Sequence, residues 1–235
     1  MAKGKKKVKP TKGEELLENP QAIAEQLNKT EQFLEQNRKM VLIVGGAIAA
    51  VVGLYFLYNY YTSTRNDTAQ KELFQAVYYF EADSLDKALN GDGNNYGFLQ
   101  IIDKYGMTKA ANLAHYYVGA SYLKKGEYQS AIDHLGKFSS GDLLIQGRAY
   151  CLIGDAYMES DDYKSAVKFY EKAADYNANE HTSPAYLIKA AIAYEELKDY
   201  KSAYKCYSTI VENYVNSSEY QTARKHKSRL ESKAG

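Results

Sequence analysis

The chain of 235 residues and 26.5 kDa carries 30 Lys and Arg against 29 Asp and Glu, a formal net charge of +1. That balance excludes a strongly basic nucleic-acid binder and, with 45% hydrophobic residues, a wholly disordered chain. Two Cys exclude a disulfide framework and a four-thiolate zinc site, three Pro suit a mostly helical chain, and 24 Tyr with 7 Phe need a repeated place to pack.

Lys3, Lys5, Lys6, Lys7, Lys9 and Lys12 open the chain with no acid among them. Such a run orients a following membrane helix and attracts anionic headgroups, at about 1 kcal/mol per basic residue near the surface. Residues 13–39 read as helix with a restart at Pro20. Ile23, Leu27, Thr30 and Leu34 recur at 4-3-4 spacing and Phe33 widens the stripe, so one apolar face leads into the next segment. That face suits either a membrane surface or a partner.

Residues 40–61 read MVLIVGGAIAAVVGLYFLYNYY and hold no charge from Met40 to Tyr58. At about 1.5 Å per residue, some twenty residues cross a hydrocarbon core of about 30 Å. Arg38 and Lys39 close one end. Tyr55, Tyr58, Tyr60 and Tyr61 crowd the other, where amphipathic rings favour the headgroup layer, so these six are the expected membrane-interface residues. A buried core helix rarely runs this long without a polar face. A cleaved signal peptide lies nearer the N-terminus and ends in a small-x-small site, whereas YNYYTSTRND follows here.

The segment therefore reads as an uncleaved single-pass anchor. Residues 1–39 are net +3 and the remainder net −2. The positive-inside rule places residues 1–39 in the cytoplasm and residues 62–235 outside it. With no Arg-rich, acid-poor presequence, the expected location is a bacterial inner membrane with a periplasmic C-terminal domain.

The exported part opens with an expected helix over 66–89, which includes Phe74, Val77, Tyr78 and Phe80. A loop from Asn90 to Gly97 and a short helix around Phe98–Tyr105 follow. Three segments beyond it align with one another: VGASYLKKGEYQSAIDHLGKF (118–138), IGDAYMESDDYKSAVKFYEKA (153–173) and AAIAYEELKDYKSAYKCYSTI (190–210). Gly119, Gly154 and Ala191 stand first. Tyr122, Tyr157 and Tyr194 follow three residues later, then Tyr128, Tyr163 and Tyr200, then Ala131, Ala166 and Ala203, and last Leu135, Tyr170 and Tyr207. The small residues let two helices approach, the alanines mark their crossing, and the aromatics fill the gaps between successive helices.

The spacing of 35 and then 37 residues resembles the tetratricopeptide repeat, a helix–turn–helix unit of 34 residues. Turns fall at Lys125–Glu127, Ser160–Asp162 and Lys198–Asp199. The expected fold is all-α: a single transmembrane helix followed by a right-handed tetratricopeptide-repeat solenoid. Repeats lie at about 112–145, 147–180 and 184–217, with a degenerate opening repeat over 66–106 and a capping helix over 217–234. The cap's Arg224, Lys225, Lys227 and Arg229 wet its outer side.

No catalytic constellation emerges, and no enzyme, cofactor or metal is expected. His115 and His134 fall on the two helices of one repeat but bring no further obvious ligands. Cys151 and Cys206 lie in different repeats and read as small core residues. Asn90, Asp92 and Asn94 mimic the start of a calcium loop, yet the twelfth position, where a bidentate Glu belongs, is Ile101. What remains is binding. Stacked helix pairs form a concave surface lined by the first helix of each pair. The candidate partner-binding groove comprises Leu113, Tyr116 and Leu123, then Arg148, Asp155 and Met158, then Ile188 and Ile192. Ala120, Cys151, Ala185 and Glu195 stand beside them, and Arg148 with Asp155 forms a charged centre. Apolar ends of this kind suit a peptide or a partner helix. Tetratricopeptide domains that grip a C-terminal carboxylate place Lys and Asn where this chain has Tyr116, Ala120, Leu152 and Ala185; only Lys189 matches.

The order of these parts resembles the ancillary Sec translocon subunit family, single-pass inner-membrane proteins with a periplasmic tetratricopeptide domain. The likeness rests on layout, on the stretch from Gly97 to Ala114 (GFLQIIDKYGMTKAANLA) and on Tyr117 to Gly126 (YVGASYLKKG). It implies a non-enzymatic scaffold or chaperone-like accessory. The implied partners are the SecYEG channel and periplasmic folding factors such as a membrane-anchored prolyl isomerase, beside the lipid bilayer, with no nucleic acid and no small-molecule substrate. Two other readings share the layout: an assembly factor or subunit of another envelope secretion or motility complex, and a membrane-bound regulator.

Overall fold

A computed structural model describes residues 20–233, and among these residues every regular element is helical. The Lys-rich start and the part of the expected first helix before Pro20 lie outside the described residues. The chain divides into a unit that ends at Tyr60 and a unit that begins at Tyr61.

In the first unit, α1 (Pro20–Gln36) begins on the proline the sequence marks, whose missing N–H costs nothing at a first helical position. Asn37 passes the hydrogen-bond ladder on: its backbone N–H donates to the Phe33 carbonyl at 3.0 Å, and its own carbonyl accepts from Val41 at 3.0 Å. The α1 stripe stays uncovered, with Leu27, Phe33 and Leu34 all exposed. Leu27, Thr30, Leu34, Val41 and Leu42 line a groove of ≈ 820 Å³.

Helix α2 (Arg38–Glu81) runs for 44 residues without interruption. The apolar window in it is long enough to cross a membrane, and none of that window is buried within the protein. The sequence reading expects a separate helix over 66–89. Instead α2 continues through the polar stretch Thr62–Asp67, which holds neither Gly nor Pro, and the break comes at Ala82–Ser84.

That break explains the second unit. Asp83 sits in the left-handed region (φ 56°), and the Ser84 N–H reaches back to the Tyr79 carbonyl at 2.8 Å. The same turn closes the next three helix pairs. Gly126 (φ 77°), Asp161 (φ 61°) and Lys198 (φ 61°) take the left-handed position. The N–H groups of Glu127, Asp162 and Asp199 each donate to the carbonyl of Tyr122, Tyr157 and Tyr194 at 2.9 Å. These are Schellman closures, which satisfy carbonyls that a helix end leaves open. The C-terminal part of α2 and the short α3 (Leu85–Asn90) are thus a helix pair in the register of the others. Ala76, Tyr79 and Ala88 match Gly119, Tyr122 and Ala131, and both alanines are fully buried.

A loop and α4 (Phe98–Tyr105) separate this pair from α5 (Lys109–Lys124) and α6 (Tyr128–Lys137). Then come α7 (Leu143–Glu159) with α8 (Tyr163–Tyr176), α9 (Ser183–Glu196) with α10 (Tyr200–Asn213), and α11 (Tyr220–Leu230). Each helix packs on its successor from α3 through α11. Helix α11 seals the last pair with buried Ala223 and Leu230; Arg224 and Lys225 are exposed, whereas Lys227 and Arg229, expected on the outer side, reach back to Glu212 and Glu195.

The close approaches are where the sequence places them. A Cβ at Gly119 would lie 2.4 Å from Leu135 Cγ, and one at Gly154 would lie 2.6 Å from the Tyr170 ring. Ala131, Ala166, Ala191 and Ala203 are fully buried, as is Tyr207, and Tyr170 is nearly so. Asp162 and Asp199 cap α8 and α10 by accepting from the Ser165 and Ser202 N–H at 3.1 Å each. Cys151 and Cys206 are buried, unpaired thiols. Asp92 orders its own loop: it accepts from the Tyr79 hydroxyl at 2.6 Å and from the N–H groups of Asn94 and Asn95 at 2.9 and 2.7 Å.

Helices α5 and α6 bring His115 and His134 together, with Nδ1 atoms 3.1 Å apart. Burial first, then His134 and Lys137, push the His115 imidazole down to about 4; burial and Lys137 push His134 down as well.

Candidate binding groove

The helices that carry the expected groove residues are α5, α7 and α9. Arg148, Asp155 and Ile192 hold positions one or two turns apart on α7 and α9, so the 3.6-residue period repeats one face toward the same side. At its centre Asp155 Oδ1 accepts from Lys189 Nζ at 2.6 Å and from the Tyr170 hydroxyl at 2.8 Å. These contacts tie α7 to α9 and α8. Burial, then the Asp155 carboxylate, raises the Tyr170 phenol well above its ordinary value. The sequence reading pairs Arg148 with Asp155. The structure gives Asp155 to Lys189 instead, because residue 189 crosses from the next repeat while Arg148 and Asp155 lie two turns apart on one helix.

Arg148 is exposed, is in no ion pair among the described residues and neighbours the Tyr116 phenol. Burial raises Tyr116, and the Arg148 guanidinium opposes that shift. The Tyr116 ring packs edge-on to Tyr117 at 5.5 Å and against Phe138 at 5.4 Å. Tyr186, which the sequence reading omits, is buried, and that burial raises its phenol, with Cys151 adding to the shift and Arg148 opposing it. Cys151 is fully buried and packs in the core, and that burial pushes its thiol up to about 12, with Asp155 adding to it.

Several expected groove residues are spent on the core. Ala120 and Cys151 are buried. Leu113, Leu123, Met158 and Ile188 are half-buried against the core clusters. Glu195 accepts from the Tyr207 hydroxyl at 2.9 Å and from Arg229 of α11, so it fastens the cap and is not a free groove group. Of the expected groove residues, Arg148 is exposed and Ile192 is 40% exposed. The open part of this face is therefore more polar than the sequence alone suggests. Tyr186 and the Lys189–Asp155 bridge carry no short-range signal: Lys189 stands 34 residues after Asp155, about one turn before Ile192, the equivalent of Asp155 at the 37-residue spacing.

Two family models, each described as tetratricopeptide repeat, match residues 147–180 and 185–217. The matches coincide with the α7–α8 and α9–α10 pairs. The α5–α6 pair stands outside them and closes with the same turn. No curated protein matches the chain. The chain is thus an all-helical protein with tetratricopeptide repeats, preceded by one long apolar helix that is a possible membrane span. Repeats of this kind form an interaction scaffold for protein partners and are typically non-enzymatic.

Proposed function

We propose that the protein is a membrane-anchored, non-enzymatic scaffold of the Sec translocon, which binds channel subunits, periplasmic folding factors or emerging clients through the face built by α5, α7 and α9. Residues 1–39 lie in the cytoplasm, residues 40–61 cross the bacterial inner membrane, and residues 62–235 work in the periplasm. Arg38 and Lys39 sit at the inner interface, with Tyr55, Tyr58, Tyr60 and Tyr61 at the outer one. The observation that carries this reading is the uncharged, unburied stretch of α2 leading into a repeat scaffold. The Sec assignment draws on the resemblance of residues 97–126 and on the layout.

Recovery of the tagged full-length protein in mild detergent, followed by mass spectrometry, tests the partner. SecY and its associates are expected; a different secretion or motility machine, or a cytoplasmic regulator, in their place would contradict the Sec reading. Topology is tested separately. A reporter active only in the periplasm, fused after Gly235, is expected to be active, and activity of a cytoplasm-only reporter at that site would reverse the orientation.

A further inference from the structure

His115 on α5 and His134 on α6 face each other with Nδ1 atoms 3.1 Å apart and ring centroids 5.2 Å apart. Both side chains are half-buried, so solvent and small ions reach them. Two imidazole nitrogens bound to one zinc at about 2.0–2.1 Å in tetrahedral geometry stand roughly 3.3 Å apart. The observed separation is close to that bite, and each ring has only to turn by roughly 35° for both lone pairs to meet at a point off the line between the nitrogens. We propose that His115 and His134 form a bidentate imidazole site for a divalent transition-metal ion, which clips α5 to α6 in place of the hydrogen bond the two rings now share.

The proton balance is simple. In the neutral pair one ring donates its Nδ1–H and the other accepts. When the ion enters, that proton moves through solvent to Nε2 of the same ring, so both Nδ1 lone pairs face the metal and neither imidazole changes charge. Nitrogen donors rank Cu²⁺ above Ni²⁺ and Zn²⁺. No cluster of three or more His, Cys, Asp and Glu is found among the described residues, so water fills the remaining coordination positions. The Tyr122 ring, 5.7 Å from that of His134, walls one side. Lys137, one turn along α6, opposes a cation and keeps binding weak and exchangeable. The site is independent of the Sec reading.

The probe is Cu²⁺, titrated into the full-length protein in detergent and followed by electron paramagnetic resonance. One equivalent is expected to bind with a spectrum split by two nitrogens. His115→Gln and His134→Gln each lose that pattern and weaken binding about 100-fold, the scale on which a second linked contact strengthens a first. His181→Gln and His226→Gln leave it unchanged. A second readout needs no variant: Zn²⁺ is expected to protect His115 and His134, and not His181, from diethyl pyrocarbonate, as mapped by mass spectrometry. Persistence of the two-nitrogen spectrum in either variant, its absence from the wild-type protein, or equal modification of these histidines with and without Zn²⁺ overturns the site.

Discussion

Tyr170→Ala is expected to destabilise the repeat unit by about 3–5 kcal/mol, the range for removing a buried aromatic ring and leaving a cavity. Tyr170 is 2% exposed, its ring fills the notch over Gly154, and its hydroxyl donates to Asp155. For a unit of this size the loss corresponds to a fall in melting temperature of about 10 °C. Tyr170→Phe separates the two contributions: packing stays, the hydrogen bond goes, and Asp155 keeps Lys189, so the cost is about 1–2 kcal/mol. Gly154 supplies the internal check. Gly154→Ala alone drives a Cβ into the ring, but in the Tyr170→Ala background the cavity accepts it. The double variant is therefore expected to be more stable than the sum of the singles by about 1 kcal/mol. Additive effects measured by thermal unfolding would show that the α7–α8 crossing is not as described.

The repeat register was legible because it depends on contacts at short, constant spacing. A helix pair crosses closely where one helix offers a small residue as a notch for a large one, which fixes Gly154 against Tyr170 sixteen residues downstream and repeats as Gly119 against Leu135. The fourth copy of that pattern, Ala76–Tyr79–Ala88, was harder to read. Helix α3 is cut to six residues and α4 is inserted after it, so Tyr79 stands 43 residues before Tyr122 instead of 35 or 37. The continuity of α2 was hidden for a different reason. Thr62–Asp67 has the composition of a linker, yet nothing in it forbids helix. The groove was legible as a set of helix positions but not as a surface. Whether Met158 or Ile188 faces solvent depends on how deeply the neighbouring helices cover it, and whether Asp155 pairs with Arg148 or Lys189 depends on the offset between repeats.

Deletion of residues 1–61 is expected to abolish co-purification with the membrane complex while residues 62–235 stay folded. One face of modest area binds weakly, because ordering and rotational costs consume much of the contact energy. A membrane anchor beside the partner makes the second contact effectively intramolecular and adds roughly 10²–10⁴ in avidity. The reciprocal variants need care. Tyr116 packs against Tyr117 and Phe138, so an acidic residue there would disturb the fold. Arg148→Glu and Ile192→Asp alter exposed positions. Together they are expected to leave membrane co-purification largely intact and to weaken engagement of the groove. Wild-type recovery of the complex by residues 62–235 alone would reduce the anchor to a tether.

The most direct test of a scaffold that works through this face is site-specific photo-crosslinking in intact cells. One photo-activatable residue replaces Ile192 on the groove face of α9, and another replaces Lys168 on the exposed side of α8. The predicted result is a covalent product with a channel subunit, a periplasmic folding factor or a translocating client from position 192, and none from position 168. Equal products from both positions, or none from position 192 while the protein still co-purifies with the channel, would contradict it.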